Sequence, residues 1–126
     1  MADTEQNGTP EVTTASGLGY TVLKPADDGA REAAPGDHVS VHYTGWLTNG
    51  QKFDSSHDRK EPFEVEVGRG RVIEGWDVTL AQMRVGDHVR VTIPAELAYG
   101  SRSPGAGIPP NADLVFEIEM LDVRAR

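Results

Sequence analysis

Alternation with a period of two dominates this chain. Val39, Val41 and Tyr43 alternate with His38, Ser40, His42 and Thr44, and Phe63, Val65 and Val67 alternate with Glu64 and Glu66. Val89, Val91 and Ile93 alternate with His88, Arg90 and Thr92, and Leu114, Phe116, Ile118 and Met120 share a face opposite Glu117 and Glu119. Successive strand side chains point to opposite faces, so each stretch has one apolar side and one wet side. Helical spacing appears once, in Trp76, Leu80 and Met83, after the branched pair Val72-Ile73 and Glu74-Gly75. The helix predicted over residues 75–83 is too short to persist alone and must form by packing on the sheet. The expected fold class is therefore α+β, an antiparallel sheet with one helix on its apolar face.

Turn chemistry divides the strands. Asn49-Gly50 is a hairpin signal between residues 38–44 and the returning Lys52-Phe53-Asp54. A first strand is expected over residues 20–24, a loop over 26–36, and a loop or bulge over 55–60. Gly68-Arg69-Gly70 turns the chain toward the helix, and Val85-Gly86-Asp87 ends it. A single helical turn is expected over residues 95–99 and a loop over the Gly-, Pro- and Ser-rich residues 100–110. Residues 1–16 hold no large apolar pair to offset the entropy of ordering and are expected to form a disordered tail, leaving one domain over 17–126.

Composition removes several function classes. The chain has 126 residues, with 20 acidic and 12 basic side chains and a formal net charge of −8. One domain of that length can bury a real core. No basic stripe is present for nucleic acid. Without cysteine there is no disulfide, thiolate nucleophile or Cys-ligated zinc. No apolar run approaches the ~18 residues that span a membrane, and no secretory signal pattern opens the chain. A soluble, monomeric, cytoplasmic protein is expected, with neither nucleic acid nor membrane as partner.

The familiar catalytic constellations fail on geometry. Ser55-Ser56-His57-Asp58 contains triad residue types, but consecutive residues do not line up nucleophile, base and orienter. His38 and His42 would sit about 13 Å apart on a strand and share no ion, and His57 and His88 have no ligand partners at useful spacing. Gly68-x-Gly70 lacks the rest of a dinucleotide fingerprint, and Asp27-Asp28-Gly29 the rest of a calcium loop. The pairs Glu64/Glu66 and Glu117/Glu119 read as wet strand faces rather than as acid–base carboxylates. No metal or cofactor is expected. What remains is a set of aromatics at element ends: Tyr43, Phe53, Phe63, Trp76, Tyr99 and Phe116. They suit an apolar core as well as an aromatic pocket.

The order of motifs carries a resemblance. Val41-His42-Tyr43-Thr44-Gly45, Lys52-Phe53-Asp54-Ser55-Ser56, Pro62-Phe63 and Val72-Ile73-Glu74-Gly75-Trp76 follow one another. Ala81-Gln82-Met83-x-Val85-Gly86, Ala98-Tyr99-Gly100 and Ile108-Pro109-Pro110-Asn111-Ala112-x-Leu114-Val115-Phe116 come after them. Together, over residues 18–124, they resemble the FKBP-type peptidyl-prolyl isomerases. The resemblance implies a bent antiparallel sheet of about five strands wrapped around one short helix. It implies a proline-binding pocket with Trp76 as floor and Tyr43, Phe53, Phe63, Val72, Ile73, Ile108 and Phe116 around it. Asp54, Tyr99, Ile73 (through its backbone N–H) and Phe116 would take the catalytic roles, with Arg59 pairing with Asp54. Proline-containing peptides, folding proteins and macrolides such as tacrolimus and rapamycin are the implied partners. A binding module without useful catalysis is the alternative. The loop tip Ser103-Pro104-Gly105-Ala106-Gly107 departs from the best-known members, which bears on peptide preference and macrolide affinity. Neither an inserted chaperone domain nor a His-rich metal-binding tail is expected.

Overall fold

The computed structural model describes residues 12–13, 17–27, 29–105 and 107–124. Seven strands form one antiparallel sheet: β1 (Val12–Thr13), β2 (Gly19–Lys24), β3 (His38–Leu47), β4 (Lys52–Ser55), β5 (Phe63–Glu66), β6 (His88–Ile93) and β7 (Leu114–Arg124). Their order is β1-β2-β6-β7-β3-β4, and β5 pairs with β3 as well. A helical turn α1 (Ser56–Arg59), a helix α2 (Glu74–Leu80) and a 3₁₀ turn (Ala95–Leu97) complete the fold. No helix among the described residues is long and apolar enough to cross a membrane.

The alternating residues fall where their period places them. Val39 and Val41 of β3, Val89, Val91 and Ile93 of β6, and Leu114 and Ile118 of β7 are all fully buried. Cross-strand register stacks them: Val89 faces Ile118, Val91 faces Phe116, and Tyr43 faces Ile118 from the other side. Their shared face meets α2, whose Leu80 is also fully buried. The helix is as short as its sequence requires. It has no side-chain N-cap, and its last turn tightens as Gln82 N–H donates to the Thr79 carbonyl and Met83 N–H to that of Leu80. Burial of its inner face therefore holds it in place.

Three details differ from the sequence expectations. The main sheet matches the expected one, and the described residues add the two-residue strand β1 at its edge. That strand, Val12–Thr13, pairs with Tyr20 and Gly19 and lies inside the segment expected to be disordered, whose other residues lie outside the described ones. Residues 55–60 are not a plain loop: Ser55 caps α1 by accepting from the His57 N–H at 3.2 Å, and Lys60 closes it in the left-handed region at φ +56°. The Asn49-Gly50 pair sits in a four-residue connection between Leu47 and Lys52, wider than a two-residue hairpin. Leu47 N–H donates to the Gln51 carbonyl and Gly50 N–H to that of Leu47.

The approach of α2 to the sheet depends on Gly75. A β-carbon there would lie 2.5 Å from Cγ2 and 2.9 Å from Cδ1 of Ile93. Overpacking of that kind typically costs about 1–3 kcal/mol. Gly75→Ala is expected to lower stability by about that amount in urea unfolding, and Gly75→Ala with Ile93→Val should recover part of it.

Candidate active site

Five elements converge on one cavity at the end of α2, together with the connections that carry Arg71 to Ile73 and Tyr99. Tyr43 comes from β3, Phe53 and Asp54 from β4, Phe63 from β5, Trp76 from α2 and Phe116 from β7. Arg71, Val72 and Ile73 reach it on the approach to α2, and Tyr99 just after the 3₁₀ turn. The cavity holds about 190 Å³. Nine of the ten residues expected from the sequence at such a pocket therefore line it. Ile108 does not: it is 5% exposed and packs in the core. Its backbone is held within its own loop, where Ser103 Oγ donates to the Ile108 carbonyl at 2.6 Å and Ile108 N–H to the Gly105 carbonyl at 3.1 Å.

The aromatic wall is held edge to face. The Trp76 ring lies 4.9 Å from Tyr43, 5.8 Å from Phe63 and 5.4 Å from Phe116, each at 82–89° between planes. Phe53 meets Phe116 at 5.6 Å and 88°. Such geometry sets the positive edge of one ring against the negative face of the next and resists rotation of any single ring. Trp76 is only 4% exposed, so it is core filler and cavity lining at once. Gly45 makes the packing of Phe53 on Phe116 possible: a β-carbon there would lie 2.7 Å from both rings. The sequence reading quoted Gly45 within a motif and gave it no role; a glycine on the inward face of an alternating strand is the signal it offered.

The chain enters α2 through a braced turn. Asp77 accepts from the Gly68 N–H at 2.9 Å and the Gly70 N–H at 3.1 Å, both glycines having positive φ. This fixes the path that brings Arg71, Val72 and Ile73 to the cavity. The Ile73 carbonyl accepts from Trp76 and Asp77, opening the helix, while the Ile73 N–H has no acceptor among the described residues.

A charged cluster closes the rim. Tyr43 donates its hydroxyl to Asp54 Oδ2 at 2.5 Å, Arg59 Nη1 donates to Asp54 Oδ1 at 2.6 Å, and Arg59 Nη2 donates to the Tyr43 hydroxyl at 2.9 Å. The Arg59 guanidinium also sits 5.6 Å from the centre of the Tyr43 ring. Partial burial raises the Asp54 carboxyl, but the Tyr43 hydroxyl and the Arg59 guanidinium outweigh it and leave the group below the usual carboxylate value. Burial and the neighbouring Asp54 raise the phenols of Tyr43 and Tyr99. Tyr99 is 40% exposed, and its hydroxyl has no protein partner among the described residues. The bond from the Tyr43 hydroxyl to Asp54 and the place of Arg71 in the lining were not part of the sequence expectation.

The other histidines and serines do not form a reactive centre. Ser56 is fully buried, with Oγ accepting from the Tyr43 N–H at 2.8 Å and lying 2.8 Å from His42 Nδ1. His42 stacks on His57 at 4.3 Å. No group of three or more His, Asp or Glu among the described residues is placed to hold a metal.

An apolar hollow with a paired carboxylate at its lip is a site suited to binding a small apolar ring. The comparisons agree with that class. Residues 29–121 match the family described as FKBP-type peptidyl-prolyl cis-trans isomerase. The chain is 46% identical over 107 residues to an FK506-binding protein of Neisseria meningitidis (serogroup A), covering 84% of this chain and 98% of that one. It is 53% identical over 96 residues to FK506-binding protein 1 of Saccharomyces cerevisiae, covering 76% of this chain and 84% of that one. The crystal structure of AtFKBP13 superposes with a TM-score of 0.84 at 35% identity, covering 92% of this chain and 99% of that one. The chain belongs to the FKBP-type peptidyl-prolyl cis-trans isomerase family.

The rim makes a titration prediction. Asp54 has a lower pKa folded than unfolded, so its contribution to stability is full above the unfolded carboxylate range and is lost as pH falls through the folded value. Arg59→Gln should raise the Asp54 carboxyl toward its ordinary value in a carbon-detected NMR titration. The stability advantage of the wild type over this variant should be complete at neutral pH and decline as pH falls through the folded Asp54 value.

Proposed function

We propose that the cavity seats the proline ring of an X-Pro segment on Trp76 and lets the preceding amide turn. The observation that carries this reading is the edge-to-face cage of Tyr43, Phe63, Trp76 and Phe116 around one hollow. Rotation about a peptide bond costs about 18–20 kcal/mol because it breaks amide resonance, and X-Pro bonds exchange between isomers in tens of seconds or more. The twisted amide separates less charge than the planar one. An apolar wall therefore favours the twisted form by withholding solvation from the planar one. A million-fold acceleration requires about 8 kcal/mol.

Hydrogen bonds would hold the substrate while it turns. The Ile73 N–H and the Tyr99 hydroxyl are available donors for substrate carbonyls. Asp54 stands at the rim with its charge balanced by Arg59, and Phe116 forms the wall opposite. No nucleophile, metal or proton transfer enters. The substrates are proline-containing peptides and folding proteins. The same hollow would take the ring of a macrolide, in line with the names of the relatives.

Refolding of a substrate protein limited by proline isomerisation tests the reading. The protein should accelerate it, and tacrolimus or rapamycin should abolish the acceleration; drug binding without acceleration at micromolar protein would leave a binding module instead. The rate should be nearly flat from roughly pH 6 to 8, because Asp54 is pushed below that window and Tyr43 and Tyr99 above theirs. A bell-shaped profile would contradict a mechanism without proton transfer. Asp54→Val is expected to lower kcat/KM by about tenfold, roughly 1.4 kcal/mol. Its unfolding midpoint should shift little, since Arg59 is 47% exposed and stays solvated.

A further inference from the structure

Arg71 stands at a junction. It lines the aromatic cavity, and it also lines a shallow groove bounded by His38, Phe63, Val65, Glu64 and Glu66. Phe63 is shared by both, so the groove adjoins the cavity. A peptide whose proline fills the cavity has this groove as one path for its flanking residues.

The charges along that path are paired, with one left over. In the cavity, Asp54 is held by Arg59 at 2.6 Å. Along the groove, Glu66 is held by Arg69 at 2.9 Å and Glu64 by Arg124 at 3.4 Å. Each of these carboxylates thus has an arginine partner, Arg124 being shared with Asp122 at 3.9 Å. Arg71 is exposed and makes no ion pair or hydrogen bond among the described residues. Its guanidinium is an uncommitted positive charge beside an apolar wall.

We infer that Arg71 is a specificity determinant that favours an acidic side chain next to the substrate proline. This rests on the isomerase reading above. A carboxylate flanking the proline can meet the guanidinium as a forked pair. A lysine at the same place meets an unneutralised like charge. Because the position is solvent-exposed, the preference is modest, about two- to fivefold at low salt. It shrinks as the Debye length falls to about 8 Å at physiological ionic strength. The net charge of −8 acts the other way at long range, repelling acidic peptides. Arg71 is therefore read as a difference between variants rather than from one absolute rate.

The test uses peptides carrying Glu, Gln or Lys immediately before proline, and a second set with the same residues immediately after it. Their isomerisation is followed by NMR exchange at low ionic strength. In one of the two sets, the Glu-to-Lys ratio of kcat/KM should fall about two- to fivefold from wild type to Arg71→Gln and further in Arg71→Glu. Arg31→Gln, which removes the same charge outside both the cavity and the groove, should leave the ratio unchanged. A ratio common to wild type, Arg71→Gln and Arg71→Glu in both sets overturns the inference. So does an equal change in Arg31→Gln, which would mark a long-range charge effect. If wild type accelerates none of the peptides, the isomerase reading fails and the inference with it. If it accelerates all of them with one ratio across the variants, only the role of Arg71 fails.

Discussion

The distance between one helix and one strand sets the depth of the cavity. Gly75 presses against Ile93 so closely that a methyl group would not fit. That contact seats Trp76 low enough for Tyr43, Phe63 and Phe116 to reach it edge-on. A second glycine acts in the same way on the sheet itself, where Gly45 leaves the space that Phe53 and Phe116 fill. Both positions trade a side chain for the approach of larger ones. The cavity floor is thus continuous with the core, and its shape is maintained by the same packing that holds the domain folded.

The rim follows different physics. Asp54, Arg59 and Tyr43 satisfy one another, so the one carboxylate that lines the cavity among the described residues is charge-paired. A binding wall that works by withholding water from an amide cannot tolerate an unbalanced carboxylate beside it. Arg59 reaches its place because Ser55 caps the α1 turn that carries it, five residues along the chain from Asp54. The ion pair of the rim is encoded in one short segment, which then meets Tyr43 of the cage.

Much of this was legible before the structure because the two periodicities are distinct. Alternation placed Val39, Val41, Val89, Val91, Ile93, Leu114 and Ile118 on one buried face, and the 3.6-residue spacing placed Trp76 and Leu80 on the helix that covers it. The direction in which Trp76 faces was not legible in that way, since core and cavity both call for an aromatic there; family likeness supplied it. Ile108 was expected at the pocket from family likeness alone; in the structure its backbone is tied locally to Ser103 and Gly105, and its side chain is buried in the core. Arg71 escaped attention because an arginine after a Gly-x-Gly turn looks like ordinary surface. Only the bracing of that turn by Asp77, seven to nine residues later, brings it to the cavity mouth.

The edge of β3 is divided between two partners. Residues 38–41 pair with β5 and residues 44–46 with β4, and at Tyr43 between them the backbone N–H is taken up by Ser56 Oγ instead of by a strand. Each half of the edge is therefore pinned in register by its own ladder, independently of what joins β4 to β5. Beyond Ser56, which holds Tyr43, the rest of that connection from His57 to Pro62 contributes no residue to the floor. A fold built in this way can keep one ring-binding hollow while exchanging the lip around it, which makes this short excursion a natural graft point for altered selectivity.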